Sequence, residues 1–158
     1  MRIGFASDIH LLVEGRKLIL GGVVIPFELG EKAHSDGDVV YHALGESILG
    51  ALALGDLGKH FPDNDDKYKD FDSSLIVKEI VRMMKERHYA INNVDISITL
   101  EKPKLRNYID EMRNNIAQLL EVDVYQVSVK AGTNEGIDTI GKGLAVKAES
   151  IVLLKEQE

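Results

Sequence analysis

The chain has 158 residues, enough to bury an apolar core, and we predict a single domain over residues 1–158. It has no cysteine, which excludes disulfides and thiolate metal sites and leaves imidazole and carboxylate groups as metal ligands. The formal net charge of −7 argues against nucleic acids and membranes as partners, and without a signal-like or long apolar segment we expect a cytoplasmic protein.

The first third of the chain predicts two strands and then a helix. Residues 2–12 and 17–27 are apolar runs typical of strands, and the polar VEGR segment between them predicts a hairpin. A helix is predicted to begin at Asp38 and to end before Gly55. Residues 55–70 are polar and predict a long loop, which in a small domain is usually functional or disordered.

The rest of the chain alternates helices and strands. Ser73 or Ser74 is expected to cap a second helix, whose buried stripe is predicted to be Ile76, Ile80, Met83 and Arg87. The later elements are a strand at 94–100, a helix with Ile109, Met112, Ile116 and Leu119 on one face, and strands at 127–131 and 144–154. This order predicts a two-layer α+β fold with helices on one face of a mostly antiparallel or mixed sheet. The other face then needs cover, so we expect a homo-oligomer.

Three residues form a candidate metal site. Asp8 and His10 are two positions apart on a predicted strand, so both side chains leave the same face. His42 lies one turn into the first helix, and the three together form a two-histidine, one-carboxylate set that suits Zn²⁺ with an open position. Glu46 or Asp38 is expected to orient His42.

Ordinary structural roles remain open for the same residues. An Asp-x-His pair occurs on strands by chance, and His42 fits equally an ordinary partly buried histidine. Asp36 and Asp38 fit a helix start whose dipole favours negative charge.

Three segments have the composition of phosphate-binding loops. HSDG precedes the first helix, EKPKLR follows a strand and places three cations around Pro103, and KAGTNEG follows another strand with small residues that allow close backbone approach. Solvated or structural turns remain alternatives for the last two. The candidate ligands are His34, Ser35, Lys102, Lys104, Arg106, Thr133 and Glu135. P-loop, dinucleotide-binding and nucleophile-elbow motifs do not occur in the chain.

The segments GGVVIP, AHSDGDVVYHAL, GDLGKHFPDND, EKPK and VKAGTNE, in this order, resemble the 2-C-methyl-D-erythritol 2,4-cyclodiphosphate synthase family over essentially the whole chain. The resemblance implies that 4-diphosphocytidyl-2-C-methyl-D-erythritol 2-phosphate cyclises and releases CMP. It also implies a homotrimer with active sites between subunits. Sheets are then expected to pack around the trimer axis.

The resemblance assigns roles to individual positions. Asp8, His10 and His42 match the zinc ligands, and Glu135 matches a residue beside a second divalent ion, Mg²⁺ or Mn²⁺. His34 and Thr133 match catalytic residues that stabilise the transition state. The positions matched to substrate binding are Asp8, His10, His34, Ser35, Asp56, Leu57, Gly58, Phe61, Pro62, Asp63, Asn64, Asp65, Leu100, Glu101, Lys102, Pro103, Lys104, Leu105, Arg106, Gly132, Thr133, Asn134, Glu135, Thr139 and Lys142.

The chain departs from the usual family sequence at several positions. Ala6 and Ser7 precede Asp8, where relatives often carry an aromatic residue, and Gly132 replaces a hydroxyl-bearing residue. An aromatic residue, an arginine and a glutamate of the relatives are replaced here by Thr139, Lys142 and Leu144. In the relatives, the aromatic residue and the arginine help line a cavity on the trimer axis where prenyl diphosphates bind.

Two other classes of protein share part of this sequence pattern. SDIH and GDLG imitate metal motifs of metallophosphoesterases, but the chain has no Asn-His dipeptide and no histidine after His88, so that class is rejected. A non-catalytic metal-binding trimer is the remaining alternative, supported by the departures in residues 132–144.

Overall fold

A mixed sheet and a layer of helices make up the protein, which a computed structural model describes over residues 1–62, 64, 66 and 69–157. The strands are β1 (Arg2–Glu14), β2 (Leu18–Leu20), β3 (Val23–Ile25), β4 (Leu29–Glu31), β5 (Tyr89–Thr99), β6 (Val127–Gly132) and β7 (Ala145–Glu156). The helices are α1 (Val39–Ala51), α2 (Leu57–His60), α3 (Ser73–Glu86), α4 (Ile109–Leu120) and α5 (Asp138–Gly141). The predicted α+β class is confirmed.

Five strands form the main sheet in the order β4-β1-β7-β5-β6. Only β5 and β6 are parallel, and the other pairs are antiparallel. One row of paired residues runs from Asp8 through Ala148 and Ile98 to Ala131. Asp8 and Ala131 therefore lie three strand spacings apart, about 14 Å.

The predicted hairpin between residues 2–12 and 17–27 is wrong. β1 pairs with β4, with Leu12 opposite Glu31, while β2 and β3 form a separate two-stranded sheet. The turn between β2 and β3 is Gly21-Gly22, with φ of +57° and +74°. Two consecutive positive φ angles are the geometry of a tight two-residue hairpin turn. The glycine pair therefore favours pairing of β2 with β3.

Helix α1 is the centre of the helical layer. The carboxylate of Asp38 caps its first turn, as predicted, and the helix ends at Ala51, four residues before Gly55. Residues are buried on nearly every side of α1, because β1 and β7 pack against one side and α3 against another. This central helix carries His42 into the interior of the domain.

The other long helices bury one face each, with a phase that differs slightly from the prediction. Asp72 caps α3, and Ser73 is its first residue. The buried side of α3 includes Met84 in place of the predicted Met83, and Arg87 is exposed. Helix α4 buries Leu120 in place of Leu119. Strand β5 alternates as predicted, with Val94, Ile96 and Ile98 buried, and Leu100, directly after its end, is buried as well.

The sheet face away from the helices is apolar and exposed along β1. Ile3, Phe5, Ile9 and Leu11 are between 51% and 71% exposed, and Ile151 on β7 lies beside Phe5. The sequence-based expectation of an uncovered sheet face is confirmed for this chain.

The predicted loop at residues 55–70 contains the short helix α2, which Asp56 caps through the Lys59 N–H. The longest helix, α3, has 14 residues, and in the described ranges none of the helices has the length and apolarity that a bilayer span requires.

Candidate active site

Strand β1 carries the first two residues of the candidate metal site. Asp8 and His10 belong to the same alternating series as the buried Ala6 and Leu12, so they point toward the helices. Helix α1 crosses this part of the sheet and brings His42 against them. The predicted convergence of strand and helix ligands is confirmed.

The three side chains place their donor atoms within ion-binding distance of one another. Asp8 Oδ2 lies 3.1 Å from His10 Nε2 and 3.4 Å from His42 Nδ1, and one donor atom from each residue lies within 4.8 Å of the other two. Two ligand atoms of a tetrahedral Zn²⁺ are ~3.3 Å apart for bond lengths near 2.0–2.1 Å. The arrangement therefore fits a divalent metal ion held by two imidazoles and a carboxylate.

A backbone carbonyl orients His10. His10 Nδ1 donates to the Gly37 carbonyl oxygen at 2.8 Å, which leaves Nε2 directed at Asp8. Gly37 has φ of +87°, and a Cβ at this position would lie 2.8 Å from the Cβ of Glu31. The turn at Gly37 brings this carbonyl to the imidazole.

Two serine hydroxyls lie on the far side of His42. His42 Nε2 is 2.9 Å from Ser73 Oγ and 3.1 Å from Ser35 Oγ. The expectation that Glu46 or Asp38 orients His42 is wrong for these contacts. Glu46 instead accepts from the Leu57 N–H at the start of α2, and Asp38 is occupied by backbone N–H groups.

Opposing effects set the charges of the metal-site residues. Burial raises the pKa of Asp8, but hydrogen bonds from His10 and His42 outweigh it and hold that pKa well below the usual range. Burial lowers the pKa of His10, but its hydrogen bond with Asp8 and the nearby carboxylate of Glu31 outweigh this effect and raise the pKa to about 10. A metal ion bound by His10 Nε2 and Asp8 would therefore have to displace the proton shared between these two atoms.

Two buried carboxyl groups stand behind the site. Glu31 Oε1 accepts from the Val39 N–H at 3.1 Å and lies 3.7 Å from His10 Nδ1. Burial raises the pKa of Glu31 to about 7. Burial, together with the nearby charge of Glu31, raises the pKa of Asp38 to about 7 as well. The metal site therefore borders a compact acidic interior.

A cavity of about 400 Å³ opens over the three ligands. Of the predicted site residues, it is lined by Asp8, His10, His34, Ser35, His42, Leu57, Gly58 and Phe61. Glu46 also lines it, although we did not predict a substrate contact there. Asp56, Pro62 and Asn64 are not among the lining residues, and Asp63 and Asp65 lie outside the described residues.

The second group of predicted residues lines a separate cavity of about 640 Å³ beside the ends of β5 and β6. Its lining includes Leu100, Glu101, Pro103, Lys104, Leu105, Arg106, Gly132 and Thr133. The remaining predicted residues, Lys102, Asn134, Glu135, Thr139 and Lys142, do not line it. Since this edge lies about 14 Å across the sheet from Asp8, one chain keeps the two halves of the predicted site apart.

Glu101 organises the loop after β6. Its carboxylate accepts from the Asn134 N–H at 3.1 Å and from the Gly136 N–H at 3.3 Å. Glu135, between them, is exposed and has φ of +54°. Thr133 Oγ1 accepts from the Glu135 N–H at 3.3 Å. Glu101 therefore holds the loop that presents Thr133 and Glu135.

Sequence reasoning missed two side chains of the metal site. Glu31 lies in a short strand with no motif around it, and only the fold brings it to His10. Ser73 was considered only as a helix cap, and its hydroxyl meets His42 across 31 residues of sequence. Neither contact has a local sequence signal.

The fold and site define an α+β protein with an Asp-His-His centre that fits a divalent metal. The YgbB family model matches residues 1–155, and the chain belongs to this family. The 2-C-methyl-D-erythritol 2,4-cyclodiphosphate synthase of Brachyspira hyodysenteriae is 56% identical over 156 residues, which are 99% of each chain.

Solved structures show the same fold. The bifunctional IspDF of Campylobacter jejuni superposes with a TM-score of 0.96 at 38% identity, over 99% of this chain and 42% of that chain. IspF of Plasmodium falciparum in complex with CDP has a TM-score of 0.87 at 35% identity, over 99% of this chain and 97% of that one.

Proposed function

We propose that the protein converts 4-diphosphocytidyl-2-C-methyl-D-erythritol 2-phosphate into 2-C-methyl-D-erythritol 2,4-cyclodiphosphate and CMP, as a cyclising phosphorus–oxygen lyase. The convergence of Asp8, His10 and His42 in a polar cavity carries this proposal. Its support from relatives is the full-length similarity to a synthase of this name and the likeness to an IspF that binds CDP.

The reaction is an internal phosphoryl transfer. An oxygen of the 2-phosphate attacks the β-phosphorus, the bond between that phosphorus and the bridging oxygen breaks, and the bridging oxygen leaves on CMP. Such a transfer needs positioning and charge neutralisation more than covalent help from the protein. In this proposal, the polar side chains that line the cavity supply both.

The metal ligands are the centre of this proposal. Asp8, His10 and His42 hold Zn²⁺, and Glu135 contributes to binding a second divalent ion, Mg²⁺ or Mn²⁺. When bound, these ions supply positive charge that neutralises the diphosphate. The preference for zinc rests on the two-imidazole, one-carboxylate donor set and on the distances of 3.1 and 3.4 Å between Asp8 and the two imidazoles.

Other side chains position the substrate. His34 and Ser35 line the cavity beside the ligands and are assigned to the phosphates. The N–H groups of Val39, Val40 and Tyr41 in the first turn of α1 already donate to Glu31 and Asp38 and have no part in this assignment. Leu57, Gly58 and Phe61 line the same cavity and are assigned to the methylerythritol part. The cavity at Leu100–Arg106 and Gly132–Thr133 is assigned to the cytidine and its phosphate, with Thr133 stabilising the transition state.

A homotrimer completes the site in this proposal. The metal cavity and the nucleotide cavity lie at different edges of the sheet in one chain, and a neighbouring subunit brings the second cavity to the first. The exposed apolar residues of β1 supply the surface for this assembly. The cytoplasmic location and the absence of nucleic-acid partners stay predictions from the sequence.

The proposal is tested by incubating the purified protein with the cytidine-linked substrate and measuring CMP. We expect release that needs divalent metal and that Asp8→Ala abolishes. The exposed Asp110→Ala variant is the matched control and should keep wild-type turnover, because the Asp110 carboxylate pairs with Arg113 on the same helix and lines neither cavity. No release with Zn²⁺ and Mg²⁺ both present would leave the non-catalytic metal-binding trimer as the better interpretation.

A further inference from the structure

His42 faces the carboxylate of Asp8 on one side of its ring and, through the hydroxyl of Ser73, the carboxylate of Asp36 on the other. Its Nδ1 faces Asp8 Oδ2 at 3.4 Å, and its Nε2 faces Ser73 Oγ at 2.9 Å. The Ser73 hydroxyl in turn lies 2.6 Å from Asp36 Oδ1. His42, Ser73 and Asp36 therefore form a continuous chain of hydrogen bonds that leads away from the metal ligands.

The chemistry of these groups fixes the direction of the protons. An ionised carboxylate only accepts hydrogen bonds, so the Ser73 hydroxyl donates its single proton to Asp36. The Ser73 oxygen then faces His42 with lone pairs, and Nε2 must be the donor. When a metal ion takes the place of the contact between Nδ1 and Asp8, a His42 that keeps its proton on Nε2 offers the Nδ1 lone pair to that ion.

Ser35 does not fix this proton in the same way. Ser35 Oγ lies 3.1 Å from His42 Nε2 and accepts from the Gly37 N–H at 3.2 Å. Its hydroxyl proton is not directed to a carboxylate by these contacts, so Ser35 is able either to donate to His42 or to accept from it. The preference for a proton on Nε2 comes from the Ser73–Asp36 pair.

Backbone hydrogen bonds hold the pair rigidly. Asp36 Oδ2 accepts from the Ser73 N–H at 3.2 Å, and the Asp36 N–H donates to the Phe71 carbonyl at 3.1 Å. Ser73 is fully buried as the first residue of α3. The two residues are thus placed by main-chain contacts on both sides, independently of His42.

We propose that Ser73 and Asp36 are positioning residues of the metal site, which hold His42 with Nε2 protonated and Nδ1 directed at the metal ion. This rests on the proposed metal-binding role of His42. The arrangement matches the general rule that a metal-bound histidine donates its other N–H to an acceptor that orients the ring. For His10 that acceptor is the Gly37 carbonyl, and for His42 it is a serine backed by a carboxylate.

Zinc affinity, measured by competition with a chelating dye and without substrate, tests the proposal. Ser73→Ala should weaken zinc binding about 10- to 100-fold, and Asp36→Asn should weaken it less, because an amide oxygen still accepts from Ser73. Ser47→Ala is the matched control, since Ser47 is also a fully buried serine on a helix but bonds to Leu44 and Ser150. It should keep the wild-type affinity.

The His42 Nε2–H proton gives a second readout that a general loss of stability does not move. In the zinc-loaded protein, NMR should show this proton in slow exchange with water in the wild type and in Ser47→Ala, and in fast exchange in Ser73→Ala. Ser73→Cys, which nearly preserves the volume but is a weak donor to Asp36, provides the same test if Ser73→Ala does not fold.

Wild-type zinc affinity and slow exchange in the Ser73 variant would overturn the positioning role while leaving the metal site intact. A wild-type protein that binds no zinc would overturn the proposed metal function and this inference together. Because substrate is absent throughout, failure to release CMP in the earlier assay does not affect the outcome.

Discussion

Asp38 shows how one buried carboxylate organises the approach to the metal site. Its oxygens accept from the N–H groups of Gly21 and Gly22 in the β2–β3 turn, at 3.0 and 2.7 Å. They also accept from Val40 and Tyr41 in the first turn of α1, both at 3.1 Å. The side chain thus joins a turn to a helix start, and the helix start carries His42.

We expect Asp38→Ala to lower the free energy of unfolding by roughly 3 kcal/mol or more, since each buried donor left without a partner costs about 1–3 kcal/mol. Asp72→Ala is the comparison, because Asp72 is an exposed cap with one bond, to Ser74. Its loss should cost about 1 kcal/mol. Urea unfolding measures both values, and equal losses would contradict the joining role of Asp38.

The pKa of His10 predicts how the stability of the metal-free protein depends on pH. Burial lowers this pKa, but the hydrogen bond with Asp8 and the nearby Glu31 carboxylate outweigh burial and raise it from 6.5 to about 10. Between these values the folded chain holds a proton that the unfolded chain has released, so the free energy of unfolding falls as the pH rises through this window. The contribution is complete below the lower value and lost above the upper one.

Urea unfolding in the presence of a chelator, from neutral to alkaline pH, tests this expectation. His10→Gln should flatten the fall, whereas His88→Asn, at an exposed residue outside the site, should keep it. Zinc should bind more tightly as the pH rises, because it displaces the His10 proton. A rise in stability across the window in the wild type would contradict the assignment.

At the scale of elements, the ends of β5 and β6 are joined by a side chain and not only by the strand ladder. Glu101 follows β5 and holds the loop after β6 through the N–H groups of Asn134 and Gly136. The cavity that we assign to the nucleotide lies beside these two strand ends. The shape of that cavity therefore depends on a single carboxylate.

We expect Glu101→Ala to weaken CMP binding about tenfold and to speed amide hydrogen exchange at residues 134 and 136, because the loop loses two hydrogen bonds, each worth about 1.5–3 kcal/mol to a charged acceptor. Calorimetry and hydrogen exchange by NMR measure the two effects. Glu111→Ala, at an exposed position in the first turn of α4, is the control and should change neither. Unchanged exchange in Glu101→Ala would show that the loop is held by other contacts.

At the scale of the whole molecule, the two faces of the sheet differ. Helices cover one face, while the β1 residues Ile3, Phe5, Ile9 and Leu11 expose apolar side chains on the other. An exposed apolar patch of this kind usually marks an interaction surface. In the proposed assembly it meets the same face of neighbouring subunits.

If this face forms the proposed trimer interface, Phe5→Glu should give a folded monomer, because charges buried between subunits lose hydration and repel one another. Sedimentation velocity measures the mass, and CMP release should fall with it, since the nucleotide cavity then lacks its partner. Val24→Glu introduces the same charge at an exposed apolar residue of β3 and should leave the mass unchanged. A wild-type protein that sediments as a monomer would contradict the proposed assembly.

Sequence patterns predicted those features that depend on local spacing. Asp8 and His10 share a face because strand residues alternate, and Asp38 caps α1 because its carboxylate reaches the next turn. The partner of β1 was predicted wrongly, because strand pairing depends on residues far apart in sequence. The glycine pair at 21–22 inside the apolar run indicates a tight turn, and therefore a hairpin within residues 17–27.

The contacts that support the candidate metal ligands could not be predicted from local sequence patterns. Ser73 and Glu31 reach the two histidines only after α1 and α3 pack together and β4 joins β1. The phase of α3 was misjudged for a related reason, since the neighbouring helices decide whether Met83 or Met84 is buried. Local spacing located the metal site, and tertiary packing determined which side chains surround it.

Strand β1 also limits how this protein can change during evolution. Its odd-numbered residues from Ile3 to Leu11 include the exposed apolar group, and its even-numbered residues include Asp8 and His10. Insertion or deletion of one residue in this strand would exchange the two sets and place both ligands on the outer face. Substitutions here alter either the metal site or the outer surface separately, whereas a change in length disrupts both at once. We therefore expect sequence drift in β1 to proceed by replacement at constant length.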